Sequence, residues 1–181
     1  MITFHDIPQG SEAWHLAHKD KWSGSTATRL LQGKSLPEWG AFAGNKYTQR
    51  GKLLESIAIR EFEREMGAPG GVLTDGYVTN SKYPNAMFSH DGIYGDTILE
   101  IKSLNGERHE KLASGDIPLE YLVQVYFGMV ICELKIAKLL AFNPEYEQQL
   151  TIIDIPYDEA IIANIQRKLE YDKMKQNGHH N

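Results

Sequence analysis

The stretch with the most chemistry in this chain runs Ser89-His90-Asp91-Gly92-Ile93-Tyr94-Gly95-Asp96-Thr97-Ile98-Leu99-Glu100-Ile101-Lys102. On a strand, side chains alternate, so Glu100 and Lys102 share one face while Ile101 enters a core on the other. Asp91 precedes a glycine turn, and an antiparallel partner strand would bring its carboxylate beside that of Glu100. Two carboxylates crowded on one face repel each other unless a hard divalent cation such as Mg²⁺ sits between them. A neighbouring ammonium can hold an attacking water and offset charge that builds on a phosphoryl group. Phosphodiester hydrolysis needs these parts together. The competing reading is a solvated strand face with an ion pair worth at most about 1 kcal/mol. Glu133-Leu134-Lys135 repeats the Glu-x-Lys pattern as an internal control, with no Asp-Gly turn before it and at the end of an apolar helix.

Three other segments add candidates. Arg50-Gly51-Lys52-Leu53-Leu54-Glu55 places an acid, Glu55, at the edge of a helical apolar stripe, and Gly51 permits close backbone approach. Gln124 stands inside the apolar run Tyr121 to Tyr126, where an unpartnered amide would cost about 1–3 kcal/mol, so it is expected to face a polar site. Gln9-Gly10-Ser11-Glu12-Ala13-Trp14-His15 and Ser23-Gly24-Ser25-Thr26-Ala27 supply hydroxyls and amides at a helix N-terminus, which suits phosphate or simply caps a helix. His15 and His18 lie three apart, but without a third ligand they read as packing or surface residues. Trp14, Trp22 and Trp39 can stack on bases or fill a core, and Cys132 reads as a small buried apolar residue.

Positioning these groups falls to a simple order of elements. A long helix from about Asn45 carries Leu53, Leu54, Ile57, Ala58, Phe62 and Met66 at three- and four-residue steps and stops at Gly67. Ser25 reads as the cap of a short helix through Thr28, Leu30 and Leu31. Val72-Leu73, Tyr77 to Thr79, Ala86 to Phe88 and Thr97 to Ile101 are β-prone pieces separated by turn residues, as in antiparallel hairpins. Helices over Glu107 to Ala113 and Leu119 to Cys132, strands over Ile136 to Phe142 and Leu150 to Ile155, and a helix from Asp158 to Lys173 follow. The expected fold class is α/β, one domain over residues 1–172 around a mixed sheet. Lys173 to Asn181 reads as a flexible tail whose His179-His180 pair has no evident role.

Composition narrows the function. In 181 residues, 41% hydrophobic and 24% charged is ordinary globular make-up, which excludes a disordered chain. Nineteen Lys+Arg against 24 Asp+Glu leave a net charge of −5, which excludes a wholly basic nucleic-acid coat but not a local groove. Lys19, Lys21, Arg29, Lys46, Arg50 and Lys52 are available to build one. One cysteine excludes a disulfide framework, an all-cysteine zinc site and a four-cysteine cluster. No apolar run reaches the ~18 residues of a membrane span, and the start lacks the order of a signal peptide. A soluble, cytoplasmic protein is expected.

The chain resembles the phage lambda exonuclease/YqaJ recombinase-nuclease family of the PD-(D/E)xK superfamily. The likeness runs from Gln9 to about Asn143 through Q-G-S-x-x-W at Gln9 to Trp14, S-x-S-T-A at Ser23 to Ala27, G-x-x-x-E at Gly51 to Glu55, S-x-D-G at Ser89 to Gly92, E-I-K at Glu100 to Lys102, and Y-x-x-Q-V at Tyr121 to Val125. It implies a restriction-endonuclease-like core, a mixed central sheet flanked by helices. By resemblance Asp91, Glu100 and the Ile101 carbonyl ligate Mg²⁺, with Mn²⁺ able to substitute. Glu55 joins them directly or through water, Lys102 positions or deprotonates the attacking water, and Gln124 orients Lys102 or the scissile strand. Ser25 and Ser89, with His18 and Arg50, are the implied contacts to DNA and its 5′-phosphate. The implied activity is 5′→3′ digestion of one strand of linear duplex DNA by a ring-shaped homotrimer. The resulting 3′ tails would serve a single-strand annealing recombinase in a bacterial or phage-infected cell. An endonucleolytic or structure-specific relative, or a non-catalytic DNA-end-binding protein, is the alternative. Three positions depart from the family pattern. His90 replaces the proline of P-D-G, His18 stands where an arginine is common, and Tyr126 takes the second place of Q-x-Q.

Overall fold

The computed structural model describes residues 1–37 and 46–178; Trp39, Asn45 and the His179-His180 pair lie outside the described residues, as does the Lys46 side chain. The chain opens with strand β1 (Ile2–His5) and helix α1 (Glu12–His18), whose N-cap Ser11 accepts the Trp14 N–H. A 3₁₀ turn (Gly24–Thr26) leads into α2 (Ala27–Leu31), and the long α3 (Lys46–Met66) follows. Strands β2 (Val72–Leu73), β3 (Tyr77–Asn80), β4 (Met87–Ser89), β5 (Gly92–Tyr94) and β6 (Thr97–Lys102) form the middle. Then come α4 (Glu107–Ala113), α5 (Leu119–Cys132), β7 (Ile136–Phe142), β8 (Leu150–Ile155) and α6 (Glu159–Gly178).

The strands divide into two sheets. Five strands in the order β2-β5-β6-β7-β8 make the mixed sheet, with β6 and β7 parallel and the other pairs antiparallel. The remaining three, β1-β3-β4, form a small antiparallel sheet that the sequence reading does not anticipate. Strand alternation on β6 and β7 feeds two cores. Leu99, Ile101, Leu140 and Phe142 pack with Leu54, Ala58, Ile59 and Phe62 of α3. Ile98, Ala137, Leu139 and Ala141 join α5, α2 and α6 on the opposite face. Helix α5 is buried along almost its whole length from Val123 to Cys132, so its apolar character runs all round rather than along one stripe. Trp22 is core, as is Cys132, whose thiol burial pushes up to about 12. Among the described residues no helix is long and apolar enough to cross a membrane.

Several local expectations are corrected. Leu53 and Met66 are exposed, because α3 buries only the residues that meet the sheet, and the end of a helix outruns it. Ser25 is exposed and is not the cap; Ser23 and Thr26 bracket the turn instead, with Thr26 Oγ1 accepting the Ser23 N–H at 2.9 Å. The last helix starts on Asp158, whose Oδ1 accepts the Ala160 and Ile161 N–H groups, and it continues beyond Lys173 to Gly178. Lys173 Nζ donates to the Lys82 carbonyl, which ties this part of the helix to the fold, and Gln176 donates to Asp172 within the helix.

Helix α5 approaches β4 so closely at Gly128 that an added Cβ would stand 2.5 Å from the Phe88 ring. Gly128→Ala gains helix propensity but overpacks a ring that is itself fully enclosed, so a net loss of about 2 kcal/mol is expected. The check is a melting temperature roughly 4–8 °C below that of the parent.

Candidate active site

The β5–β6 hairpin is the structural centre. Gly92 pairs with Leu99, and continuing that register by one step sets Asp91 opposite Glu100. Gly92 is required there for contact, since a Cβ would lie 2.9 Å from Val72 on the neighbouring strand. Asp91 Oδ2 accepts the Ile101 N–H at 2.8 Å, which ties the carboxylate to the far strand. Ile101 itself is buried against α3, and the alternation leaves Glu100 and Lys102 together on the α5 side. Lys102 Nζ stands 2.6 Å from Glu100 Oε1, donates to Gln124 Oε1 at 3.1 Å and lies 4.7 Å over the Tyr121 ring. The Gln124 amide is thereby paired, as the cost of burying it requires.

A cavity of about 420 Å³ collects Asp91, Glu100, Lys102 and Gln124 with Ser23, Ser25, Ser89, His18, Trp14 and Gln9. A second cavity of about 580 Å³ lies on the other side of Asp91 and is walled by Glu55, Lys52, Arg60, Asp75 and His90. Glu55 is therefore a neighbour of the first group across Asp91. Arg50 borders neither cavity and pairs with Glu145 at 3.6 Å on the surface. Lys21 donates to the Pro84 carbonyl and Arg29 to the Ser35 carbonyl, whereas Lys52 borders the second cavity.

Electrostatics tie the acids to one another. Burial holds the Asp91 carboxyl well above its ordinary range, and the charges of Glu100 and Glu55 push it further, against Lys102 and the Ile101 N–H. Burial also raises Glu55; Lys102 opposes this and Glu100 adds to it. For Lys102, burial works against its charge, but Glu100 and Asp91 outweigh it and hold the ammonium above the usual lysine range. Asp91, Glu100 and Glu55 thus feel one another's charge, the situation a divalent cation relieves. Among the described residues no three Asp, Glu, His or Cys side chains form a ready-made ion cage. Mg²⁺ fits such an arrangement, because it takes one or two carboxylates and fills its octahedron with water and phosphate oxygens. A four-ligand structural zinc site does not fit.

The departures from the family pattern have structural answers. His90 is buried, and its carbonyl accepts Gln9 Nε2 at 3.2 Å, while Trp14 Nε1 donates to Ser89 Oγ at 2.9 Å. These two contacts brace the segment that a proline would stiffen. Tyr126 points into the core, with its hydroxyl on the Pro156 carbonyl, so Gln124 alone serves the site from that motif. His18 is buried beside the Trp14 ring, and burial, with help from His15, lowers its pKa to about 4 despite a backbone hydrogen bond that opposes the shift. It is neutral at pH 7, unlike the arginine it replaces. Because its folded pKa lies below the ordinary 6.5, the unfolded chain binds the extra proton, and the contribution present above pH 6.5 is lost as pH falls toward 4. His18→Gln is expected to remove that loss, on the order of 3 kcal/mol at most, in denaturant midpoints measured across this window.

Gln9, Ser23 and Trp14, already candidates as amide, hydroxyl and stacking ring, also border the cavity. For Gln9 and Trp14 the signal is the Q-G-S-x-x-W spacing, and for Ser23 the S-x-S-T-A segment. The internal control behaves as a decoy. Glu133 closes α5 in a left-handed conformation at φ 54° and pairs with Lys82 and Asn80.

The family model of the YqaJ-like viral recombinase domain matches residues 9–135, a span that contains every wall residue of the smaller cavity. The chain belongs to the YqaJ-like viral recombinase family. No curated protein matches it. Among solved structures this YqaJ-like chain is similar to an alkaline exonuclease, LHK-Exo, from Laribacter hongkongensis, also solved in complex with dAMP. The identity is 21%, the TM-score 0.76, and the match covers 93% of this chain and 94% of that one. It is also similar to a phage-related exonuclease from Haemophilus somnus 129PT at 17% identity and a TM-score of 0.51, covering 94% and 91%. The YqaJ-like chain therefore has the restriction-endonuclease-like fold of these proteins, with the five-stranded mixed sheet between helices.

Proposed function

We propose that this YqaJ-like protein is an exodeoxyribonuclease that uses Mg²⁺, or Mn²⁺ in its place, to digest one strand of linear duplex DNA from the 5′ end. The observation that carries the reading is the convergence of Asp91, Glu100, Lys102 and Gln124 on one cavity with the hydroxyls of Ser25 and Ser89. Asp91, Glu100, the Ile101 carbonyl and Glu55 would hold the ion. When bound, it supplies positive charge that polarises the scissile phosphoryl group and acidifies the attacking water. Lys102, kept as an ammonium by its acidic neighbours, orients that water and offsets charge on the phosphoryl oxygens. Gln124 accepts from the ammonium and fixes its direction. Ser25, Ser89 and neutral His18 meet the terminal 5′-phosphate with hydrogen-bond donors.

The product is duplex DNA with 3′ single-stranded tails, the substrate of an annealing recombinase. Assembly as a homotrimer around the DNA, in the cytoplasm of a bacterial or phage-infected cell, completes the proposal. The test is digestion of 5′-end-labelled linear duplex with Mg²⁺, with Mn²⁺ and with chelator, beside a closed circular duplex. Mononucleotide release from the linear substrate that chelation stops is the expected result. Cleavage of the circle would favour an endonuclease, and no cleavage in any arm would favour an end-binding protein.

A further inference from the structure

We propose that Trp14 is a positioning residue that sets the hydrogen-bond polarity of Ser89 and so makes this hydroxyl a dedicated donor to the terminal phosphate. The inference rests on the 5′-phosphate reading of the cavity. The indole N–H can only donate, and it occupies a lone pair of Ser89 Oγ at 2.9 Å. The one hydrogen of Ser89 must then be directed elsewhere, and Ser89 borders the cavity that also holds Ser25. An oxyanion there meets an O–H rather than a lone pair. The Gln9 amide on the His90 carbonyl fixes the adjacent residue, so the strand end that precedes Asp91 is gripped twice from the N-terminal segment.

The hydroxyls around Ser25, which borders the same cavity, are ordered differently. Thr26 Oγ1 accepts the Ser23 N–H at 2.9 Å and gives its own hydrogen to the Ser23 carbonyl at 3.2 Å. Its hydrogen committed, it can only accept from Ser23 Oγ at 3.3 Å, which leaves Ser25 the donor in its 3.1 Å contact with Ser23. Ser25 must give up that contact before its O–H can meet an incoming anion. Of the two serines Ser89 is thus the one already preset as a donor, in a cavity that lacks the usual arginine and holds His18 uncharged at pH 7. Donor orientation takes over part of the selectivity that charge supplies elsewhere.

The experiment compares kcat/KM on duplexes with 5′-phosphoryl and 5′-hydroxyl ends for the parent, Trp14→Phe, Ser89→Ala and the double variant. The ratio of the two is expected to fall roughly tenfold in Trp14→Phe, the scale of one hydrogen bond to a charged group. In the double variant it should fall no further than in Ser89→Ala alone. A purely structural role would lower both rates and leave the ratio standing, which overturns the proposal. A ratio that Ser89→Ala collapses and Trp14→Phe leaves in place overturns it too, while sparing the phosphate pocket. A parent enzyme blind to the 5′-phosphate overturns both. Should Trp14→Phe fail to fold, 3-benzothienylalanine at position 14 keeps the bicyclic shape, removes only the N–H, and answers the same question.

Discussion

Lys102→Ala is expected to lower the turnover number for nucleotide release by about 10³-fold or more, equivalent to about 4 kcal/mol of transition-state stabilisation. The size follows from where the ammonium stands. It is bonded to Glu100 and Gln124 and stacked over Tyr121, so its charge is delivered to one place without reorganisation at the moment of reaction. No other cation borders the smaller cavity at pH 7, among the described residues, to take over. Lys135→Ala, in the decoy Glu-x-Lys, should leave the rate within twofold, because that lysine sits over Tyr157 on the surface and away from the carboxylates. Initial rates on 5′-phosphorylated duplex, with circular dichroism to show that both variants are folded, are the measurement. A Lys102→Ala enzyme with parental turnover would remove the lysine from the chemistry.

Much of this site is legible in the sequence because its key relationships are local. Strand alternation alone puts Glu100 and Lys102 on one face and Ile101 on the other, and the Gly95-Asp96 turn brings Asp91 back across the hairpin, whereas the expected turn glycine, Gly92, is itself the first residue of β5. The unbroken apolar run of α5 announces a buried helix, and a lone glutamine within it announces a polar partner. The unanticipated features depend on distance along the chain. Strand β1 is four residues long, half exposed, and acquires its meaning only by pairing with β3. The Trp14–Ser89 bond joins residues 75 apart. Arg50 illustrates the same limit, since its pairing with Glu145 joins residues far apart along the chain. Among Ser23, Ser25 and Thr26, three hydroxyls compete for one capping role, and propensity cannot rank them.

The same crowding of acids predicts that Asp91→Asn will move stability and activity in opposite directions. Without a divalent ion, the raised Asp91 carboxyl means that the folded state binds a proton more tightly than the unfolded chain does. The contribution of this group is therefore greatest at low pH and declines as pH climbs from its ordinary 3.8 through the raised value, because ionisation beside Glu100 and Glu55 must then be borne by the fold. Asparagine keeps an oxygen for the Ile101 N–H and removes the charge, so at neutral pH and in chelator the variant should be more stable by about 1–2 kcal/mol, or roughly 2–8 °C. His18 titrates in the opposite sense but is present in both proteins, so the difference between them isolates Asp91. Adding Mg²⁺ should reverse the order. An ion at a hundred times its dissociation constant stabilises a competent site by about 2.7 kcal/mol, and a variant that has lost a carboxylate ligand forgoes most of this along with strand cleavage. Melting curves of the two proteins in chelator and in Mg²⁺ should therefore cross. If the parent is the more stable in both conditions, the carboxylates do not repel one another as their positions require, and the ion site they are proposed to form loses its physical basis.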